Sequence, residues 1–269
     1  MALADRYDAF LFDIDGVLLR GDAAIDGAGE AIDALRRRGK GLAFMTNNSS
    51  RTPAEVAVRL TAAGIAADER AVVTSALATA DLLGGDGVGR AFVIGERGIR
   101  EALAQRGIDI VDGDPDDADV VVVGWDRAAD YPKLRRACLL VERGARLVAT
   151  NADASFPAED GRWPGAGALL AAVTVTTGAT PEVVGKPHGA LFRFALERAG
   201  GGRPLVVGDR LDTDVAGADA LGWDSLLVLT GIASEADAAV AARRPRYVAP
   251  DTSALERDVP TFEPGRRPA

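Results

Sequence analysis

The segment Asp13-Ile14-Asp15-Gly16-Val17-Leu18 follows the apolar run Ala9-Phe10-Leu11-Phe12, and this juxtaposition decides how the chain folds. The apolar run predicts a short buried strand, and Gly16 marks the point where the chain turns away from the sheet. In open α/β sheets, ligands bind at the carboxyl ends of the strands, where Asp13 and Asp15 would lie. Two close carboxylates repel each other and need a cation or a shared proton. The alternative for residues 13–16 is a solvated Asp-x-Asp-Gly turn after the strand.

Strand and helix signals alternate along the chain, which predicts an α/β fold with a parallel sheet. Strands are predicted at residues 10–12, 41–45, 91–94, 119–123, 146–149, 205–207 and 225–229. Helices are predicted at residues 28–38, after Pro53, and at 98–106, 131–143, 189–199 and 214–221.

Two stretches rich in glycine and small polar residues divide the chain, at residues 83–89 and 177–181. Such stretches favour hinges, and the residues between them are sufficient for a second α/β domain. The expected divisions are a core of residues 1–83 and 180–262, an inserted α/β domain of residues 84–179, and a C-terminal tail of residues 263–269.

The composition favours a globular protein with a large core. The chain has 269 residues, 48% of them hydrophobic, which excludes a disordered or fibrous protein. Its 31 Lys and Arg residues are outnumbered by 40 Asp and Glu residues, and no basic run with interleaved aromatics occurs, so nucleic acid is not an expected partner. The single cysteine, Cys138, cannot form an intramolecular disulfide. No segment resembles a signal peptide or a membrane span, so we expect a cytoplasmic protein without a membrane partner.

Hydroxyl and amide side chains follow the second predicted strand, in the segment Thr46-Asn47-Asn48-Ser49-Ser50-Arg51. This segment would lie at the same sheet edge as the two aspartates, and its donors suit phosphate oxygens. The alternative is a polar loop that caps the helix after Pro53. We expect the segment to fill both roles, with its first three residues, Thr46, Asn47 and Asn48, as the candidates that bind phosphate.

A lysine and a further aspartate follow two other apolar runs. Lys186 comes directly after Val183-Val184-Gly185 and is a candidate counter-charge for phosphate, although most lysines are simply solvated. The run Leu205-Val206-Val207-Gly208 ends at Asp209, which would complete a metal site with Asp13. Strand ends thus bring acids, donors and a lysine to one edge, which fits Mg²⁺ held by a few carboxylates together with water and phosphate oxygens.

Other common sites lack the residues that they require. The chain has one histidine, His188, so a His-rich zinc site is excluded. There is no Gly-x-x-x-x-Gly-Lys-[Ser/Thr] loop, and no Gly-x-Gly-x-x-Gly follows the first strand, which argues against nucleotide triphosphate binding and against a dinucleotide-dependent oxidoreductase. A serine hydrolase would need a histidine base near a nucleophile elbow, and the chain offers none.

The chain closely resembles the phosphatases of the haloacid dehalogenase superfamily. Their four motifs occur here in order as residues 13–18, residues 46–48, Lys186 and residues 208–214. The long insertion between the second and third motifs, with Thr150-Asn151-Ala152-Asp153 and residues 164–170, resembles the C2A-cap branch, which includes NagD-type and 4-nitrophenylphosphatase enzymes. The resemblance extends from Tyr7 to about Val248 and implies a Rossmannoid parallel-sheet core with an inserted α/β C2-type cap.

The resemblance implies a covalent mechanism that depends on Mg²⁺. Asp13 would attack the phosphorus and form an aspartyl-phosphate. Asp15 would protonate the leaving alcohol and then activate water. The metal would be held by the carboxylates of Asp13 and Asp209 and by the backbone carbonyl of Asp15.

The resemblance also implies how the phosphoryl group is bound. Thr46 and Asn47, with Lys186, would hold its oxygens, where placed donors and cations stabilise the developing charge. Asp214 would orient Lys186 or metal-bound water.

Phe156 is a candidate for substrate specificity. It lies in the cap loop after Asn151, which approaches the leaving group in relatives, at a position where some vitamin-phosphate phosphatases carry a histidine. This difference disfavours pyridoxal phosphate. The alternative is that Phe156 simply packs in the core of the cap.

These observations lead to a Mg²⁺-dependent phosphomonoesterase that acts on small phosphorylated metabolites such as glycerol phosphate. A nucleoside monophosphate or a sugar phosphate is the alternative substrate. A carbon–halogen hydrolase is disfavoured because such enzymes typically lack the second aspartate that Asp15 supplies. The non-enzyme alternative is a sensor that closes around a phosphate ligand without hydrolysing it. Dimers that involve the cap occur among relatives, and we expect a homodimer here.

Overall fold

The computed structural model describes residues 1–158 and 160–263, so only Glu263 of the predicted C-terminal tail lies within the described residues. The strands are β1 (Ala9–Asp13), β2 (Leu19–Arg20), β3 (Ala23–Ala24), β4 (Gly41–Thr46), β5 (Val72–Thr74), β6 (Arg90–Ile94), β7 (Asp109–Val111), β8 (Val120–Val123), β9 (Arg146–Ala149), β10 (Ser155–Ala158), β11 (Gly161–Pro164), β12 (Glu182–Val183), β13 (Pro204–Gly208), β14 (Asp224–Val228) and β15 (Tyr247–Ala249). The α-helices are α1 (Ala28–Arg37), α2 (Pro53–Ala62), α3 (Ser75–Gly85), α4 (Arg97–Gln105), α5 (Tyr131–Glu142), α6 (Ala166–Thr177), α7 (Gly189–Arg198), α8 (Ala216–Ala220) and α9 (Glu235–Val240). Within the described part of the chain, none of these helices has the length and apolar character that crossing a bilayer requires.

The first of two compact units comprises residues 1–46, residues 53–73 and the chain from Lys186 onward. Its sheet has the strand order β15-β14-β13-β1-β4-β5, and β1 pairs in parallel with both β13 and β4. Parallel neighbours require crossover connections, which here include α1, between β1 and β4. The short hairpin of β2 and β3 follows β1.

The sequence of β1 explains its central position in the first unit. All five of its residues are buried, as expected for a strand that is covered on both faces. Phe10 and Phe12 stack with their ring centroids 6.4 Å apart, and Phe12 packs against Phe44 of β4. Helix α1 buries its apolar face, including Ile32 and Leu35, in the same core. This core fixes the strand whose last residue is Asp13.

The second unit comprises residues 47–52 and 74–185. Its sheet has the order β12-β9-β8-β6-β7, and every neighbouring pair in it is parallel. A separate antiparallel hairpin is formed by β10 and β11. The predicted fold class, an α/β parallel-sheet core with an inserted α/β domain, is confirmed.

The boundaries of the units differ from the predicted ones. Helix α3, most of which was predicted to belong to the core, packs against α4 of the second unit. Strand β12 pairs with β9, so residues 180–185 also belong to that unit. The segment 47–52 belongs there too, since Gly98 N donates to Ser50 O over 2.9 Å. Helix packing and strand pairing, rather than the glycine-rich stretches, therefore determine where each unit ends.

Candidate active site

Asp13 is the last residue of β1, and its side chain is nearly enclosed. The residue is 8% exposed, and its Oδ1 accepts a hydrogen bond of 2.8 Å from the backbone N–H of Ile14. In the register of the sheet, Asp13 is paired with Met45. Thr46 comes directly after Met45, as the final residue of β4. It therefore lies at the same edge of the sheet, and it is buried. Asp13 and Thr46 are therefore the last residues of two neighbouring strands.

Lys186 lies between two buried carboxylates. Its Nζ is 2.8 Å from Oδ1 of Asp13 and 2.7 Å from Oδ1 of Asp214. Asp214 is placed by the helical turn Leu211–Val215 after β13, where its other oxygen accepts a hydrogen bond from Arg210 N. Burial alone would lower the pKa of Lys186, but Asp13 and Asp214 outweigh that effect and raise the pKa above its ordinary value. The lysine is therefore a fixed positive charge beside Asp13.

Asp209, directly after β13, completes a cluster of acids. One carboxylate oxygen from each of Asp13, Asp209 and Asp214 lies within 4.8 Å of the others. Oδ2 of Asp209 accepts a hydrogen bond of 2.9 Å from Ile232 N, whereas its Oδ1 is buried and has no hydrogen-bond partner among the described residues. A buried carboxylate oxygen without a donor is costly unless a cation binds it. The donor set, all hard oxygen atoms, fits Mg²⁺.

The charge balance of this cluster also favours a bound cation. Burial raises the pKa of Asp13 to about 6, opposed by Lys186 and assisted by Asp209. Burial likewise raises the pKa of Asp214 to about 6, and burial together with Asp214 raises the pKa of Asp209. Three carboxylates share one lysine, so the ionised cluster carries excess negative charge. A divalent cation would neutralise that excess.

The side chain of Asp15 lies outside the acid cluster. Its Oδ1 accepts a hydrogen bond of 3.0 Å from Arg59 of α2, and the side chain is 57% exposed. Arg59 also donates to Asp22 and to the carbonyl of Gly21, in the connection between β2 and β3. Arg59 could not be predicted from the sequence, because an arginine within an amphipathic helix has no feature that marks it as a site residue.

The three residues predicted to bind phosphate are distributed over the two units. Thr46 belongs to the first unit, and Asn47 and Asn48 belong to the second. Nδ2 of Asn47 donates to Oδ2 of Asp153 over 3.1 Å, and the Asn47 carbonyl accepts a hydrogen bond of 2.7 Å from Asn151. Oδ1 of Asn48 accepts hydrogen bonds from both N and Oγ of Ser50, which shapes the loop. The contact with Asp153 was not predicted.

Phe156 packs within the second unit. Its ring stacks on Trp125 with centroids 4.3 Å apart and an interplanar angle of 28°, and on the hairpin it pairs with Trp163. Trp125 is nearly buried, and its Nε1 donates to the carbonyl of Pro164 at the end of the hairpin. Phe156 is half-buried and is held by this stack, and its role in substrate specificity stays a prediction.

Comparison with known proteins decides the family. Residues 10–109 match the family described as haloacid dehalogenase-like hydrolase, and residues 183–255 match a family described as HAD-hydrolase-like. The D-glycerol 3-phosphate phosphatase of Mycobacterium tuberculosis is 39% identical over 261 residues, which cover 96% of this chain and 73% of that protein. The chain belongs to the haloacid dehalogenase superfamily.

Further similarities place the chain among the C2A-cap phosphatases of this superfamily. The 5'-nucleotidase YutF of Bacillus subtilis is 39% identical over 229 residues, which cover 84% of this chain and 88% of that protein. A crystal structure of the M. tuberculosis glycerol phosphate phosphatase in complex with magnesium has a TM-score of 0.91 and 38% identity, covering 96% of this chain and 79% of that one. The chain is thus a haloacid dehalogenase hydrolase of phosphoric monoesters, and its cluster of buried acids fits a divalent cation such as the magnesium bound by the M. tuberculosis enzyme.

The raised pKa values predict that metal-free protein loses stability as the pH rises. A carboxyl whose pKa is higher in the folded than in the unfolded state stabilises the fold fully below its unfolded pKa, and this contribution is lost as the pH passes the folded value. For Asp13 the window runs from the ordinary value of 3.8 to about 6. We expect the free energy of unfolding, measured with urea in EDTA, to fall less steeply with rising pH in Asp13→Asn than in the wild type. Equal slopes in the two proteins would contradict the expectation.

Proposed function

We propose that this phosphatase hydrolyses small phosphorylated metabolites through an aspartyl-phosphate on Asp13, with glycerol phosphate as its first candidate substrate. The observation that carries the proposal is the buried carboxylate of Asp13 beside the fixed charge of Lys186, at the end of the central strand. A nucleophile in this position meets the phosphorus while the lysine compensates the charge of the phosphoryl oxygens.

The proposed reaction has two displacement steps at phosphorus. In the first, an oxygen of Asp13 forms a bond to phosphorus, the bond from phosphorus to the ester oxygen breaks, and Asp15 gives its proton to the departing alcohol. In the second, water attacks the phosphorus, Asp15 takes its proton, and the bond to Asp13 breaks, releasing inorganic phosphate. Asp15 thus alternates as acid and base, and its partly exposed position gives it room to do so.

Several side chains are proposed to bind the phosphoryl oxygens. Lys186 supplies positive charge, and Thr46, Asn47 and Asn48 supply hydroxyl and amide donors. Asp214 is proposed to hold Lys186 in place, which its contact of 2.7 Å with Nζ supports. Because Lys186 also contacts Asp13, its ammonium group can stay close to the phosphoryl oxygens while the phosphoryl group is transferred to Asp13.

The carboxylates of Asp13 and Asp209 and the backbone carbonyl of Asp15 are proposed to hold Mg²⁺. The ion supplies positive charge that offsets repulsion between the nucleophile and the anionic substrate. The unpaired Oδ1 of Asp209 supports its role as a ligand. Asp214 is engaged by Lys186 and by Arg210 N, which leaves it the less available acid of the cluster.

The choice of substrate is proposed to depend on the second unit. Asp153 accepts a hydrogen bond from Asn47, so a negative charge lies beside a residue proposed to bind the phosphoryl group. This charge favours a neutral polyol as leaving group and disfavours one that carries a carboxylate. A nucleoside monophosphate remains the alternative, as the similarity to the B. subtilis 5'-nucleotidase supports. Phe156 is proposed to influence specificity by holding the hairpin through its stack on Trp125.

A cellular location and an oligomeric state are proposed together with this function. A cytoplasmic location agrees with substrates drawn from metabolism and with a single buried cysteine. A homodimer is proposed from one uncharged face of α6, formed by the exposed residues Ala168, Ala171, Ala172, Val175 and Thr176. Exposed apolar helix faces of this kind mark association surfaces.

Phosphate release from a panel of phosphomonoesters tests the activity. The panel contains glycerol 3-phosphate, phosphoglycolate, nucleoside monophosphates, sugar phosphates, pyridoxal phosphate and 4-nitrophenyl phosphate. We expect turnover that requires Mg²⁺, stops in EDTA and falls by at least roughly 10³-fold in Asp13→Asn, because that variant lacks the nucleophile. Folded protein that binds a member of the panel but releases no phosphate would instead support the sensor.

The role of Asp153 is tested by the ratio of kcat/KM for glycerol 3-phosphate to that for phosphoglycolate. We expect Asp153→Asn to shift this ratio roughly tenfold toward phosphoglycolate, because a repulsion on the order of 1–3 kcal/mol is removed. Asp109→Asn, the same change at an exposed residue of β7, is the control and should leave the ratio unchanged. An unchanged ratio in Asp153→Asn would refute this role.

The dimer is tested by light scattering during size-exclusion chromatography. We expect the wild type to elute with twice the mass of the chain, and Val175→Lys to elute as a monomer because it places a charge on the uncharged face of α6. Val58→Lys, at an exposed residue of α2, is the matched control. A monomeric wild type would exclude the homodimer.

A further inference from the structure

The loop that follows β14, residues 229–233, encloses the carboxylate of Asp209. The backbone N–H of Ile232 donates to Oδ2 of Asp209 over 2.9 Å, and the N–H of Ala233 donates to the Asp209 carbonyl over 3.0 Å. Between them the backbone of Gly231 passes so close that a Cβ atom there would overlap Oδ2 of Asp209. The loop therefore fixes both the main chain and one carboxylate oxygen of this residue.

A second glycine approaches the same oxygen from the turn after β1. Gly16 has a φ of +87°, in the left-handed region that favours glycine, and a Cβ there would lie 2.5 Å from Oδ2 of Asp209. Oδ2 is thus packed between two stretches of backbone. Oδ1, by contrast, is the buried oxygen without a hydrogen-bond partner among the described residues. The packing decides which of the two oxygens is left to bind a cation.

Thr230 ties this loop to the turn that carries the other predicted ligands. Its Oγ1 donates a hydrogen bond of 2.6 Å to the carbonyl of Gly16. Its own carbonyl accepts a hydrogen bond of 2.7 Å from Nη2 of Arg20 in β2. Two strand ends that are distant in sequence, after β1 and after β14, are therefore held at a fixed separation around Asp209.

We propose that Thr230, Gly231 and Ile232 are positioning residues for the metal, which hold Asp209 with Oδ1 directed to the cation and thereby set the affinity for Mg²⁺. The inference rests on the proposed function only through the metal site. Partners of metal ligands act in this way elsewhere, because they restrict the ligand to the orientation that binds. A loop that served only to connect β14 to α9 would have no effect on metal affinity.

Isothermal titration of Mg²⁺ into the full chain, without substrate, tests the proposal. Thr230→Val removes the hydroxyl at nearly constant volume, and Gly231→Ala adds the methyl group that the site excludes. We expect Mg²⁺ binding to weaken roughly 10-fold or more in each variant. In Thr230→Val, raising Mg²⁺ to saturation should restore kcat to within about twofold of the wild type, which a general structural defect would not allow.

Matched controls come from the second unit. Thr177→Val removes a hydroxyl that also donates to a backbone carbonyl, that of Val173, over 2.9 Å in α6. Gly85→Ala adds a methyl group at the end of α3, where a Cβ would meet open space. Both controls should bind Mg²⁺ with wild-type affinity.

The outcomes separate this proposal from the proposed function. Wild-type Mg²⁺ affinity in folded Thr230→Val would overturn the proposal, and this variant decides the matter if Gly231→Ala fails to fold. A wild-type protein that binds no Mg²⁺ would overturn it as well. A wild type that binds Mg²⁺ and loses affinity as expected, yet releases no phosphate from any ester, would support the positioning role while the proposed function fails.

Discussion

The burial of three carboxylates around one ammonium group is the constraint on which the rest of the site depends. Asp13 ends β1, and Asp209 and Asp214 follow β13, the neighbouring strand of the same sheet. The pairing that forms the core therefore also brings their charges together. Desolvation of such groups is expensive, and Lys186 compensates only part of the cost. The remaining negative charge makes the site a strong attractor for a divalent cation. The three carboxylates repel one another. The surrounding backbone must therefore hold them in place, because otherwise they would move apart and become solvated.

Much of this arrangement was predictable from the sequence, because parallel strands end at one edge of a sheet. Buried apolar runs before Asp13 and Asp209 identified both strands, and the α/β fold class is confirmed. Helix α6 was not predicted, because its sequence has no charged residue and therefore no contrast between a polar and an apolar face. The short strands β10 and β11 lack an alternating pattern. Glycine-rich stretches misplaced the boundaries, since α3 continues through Leu83-Gly84-Gly85.

The contacts that surround the predicted residues could not be read from the sequence. Arg59 meets Asp15, and Thr230 meets Gly16, only because helices and loops from distant parts of the chain converge. The roles of the site residues therefore stay predictions, although their positions are now known. Substrate choice is least accessible, since two relatives with the same 39% identity are a glycerol phosphate phosphatase and a nucleotidase. Such differences depend on a few side chains rather than on the fold.

The interleaving of the two units has a consequence for synthesis on the ribosome. Phe10 in the central strand pairs with Leu205, so β1 stays unpaired on one side until most of the chain has been made. The second unit, which ends at Gly185, is complete in sequence before β13 leaves the exit tunnel. The inserted unit can thus fold first, during translation, while the nascent first unit exposes an apolar strand edge that is prone to aggregation. The order in which the residues are translated therefore places the acids of the site among the last parts of the molecule to assemble.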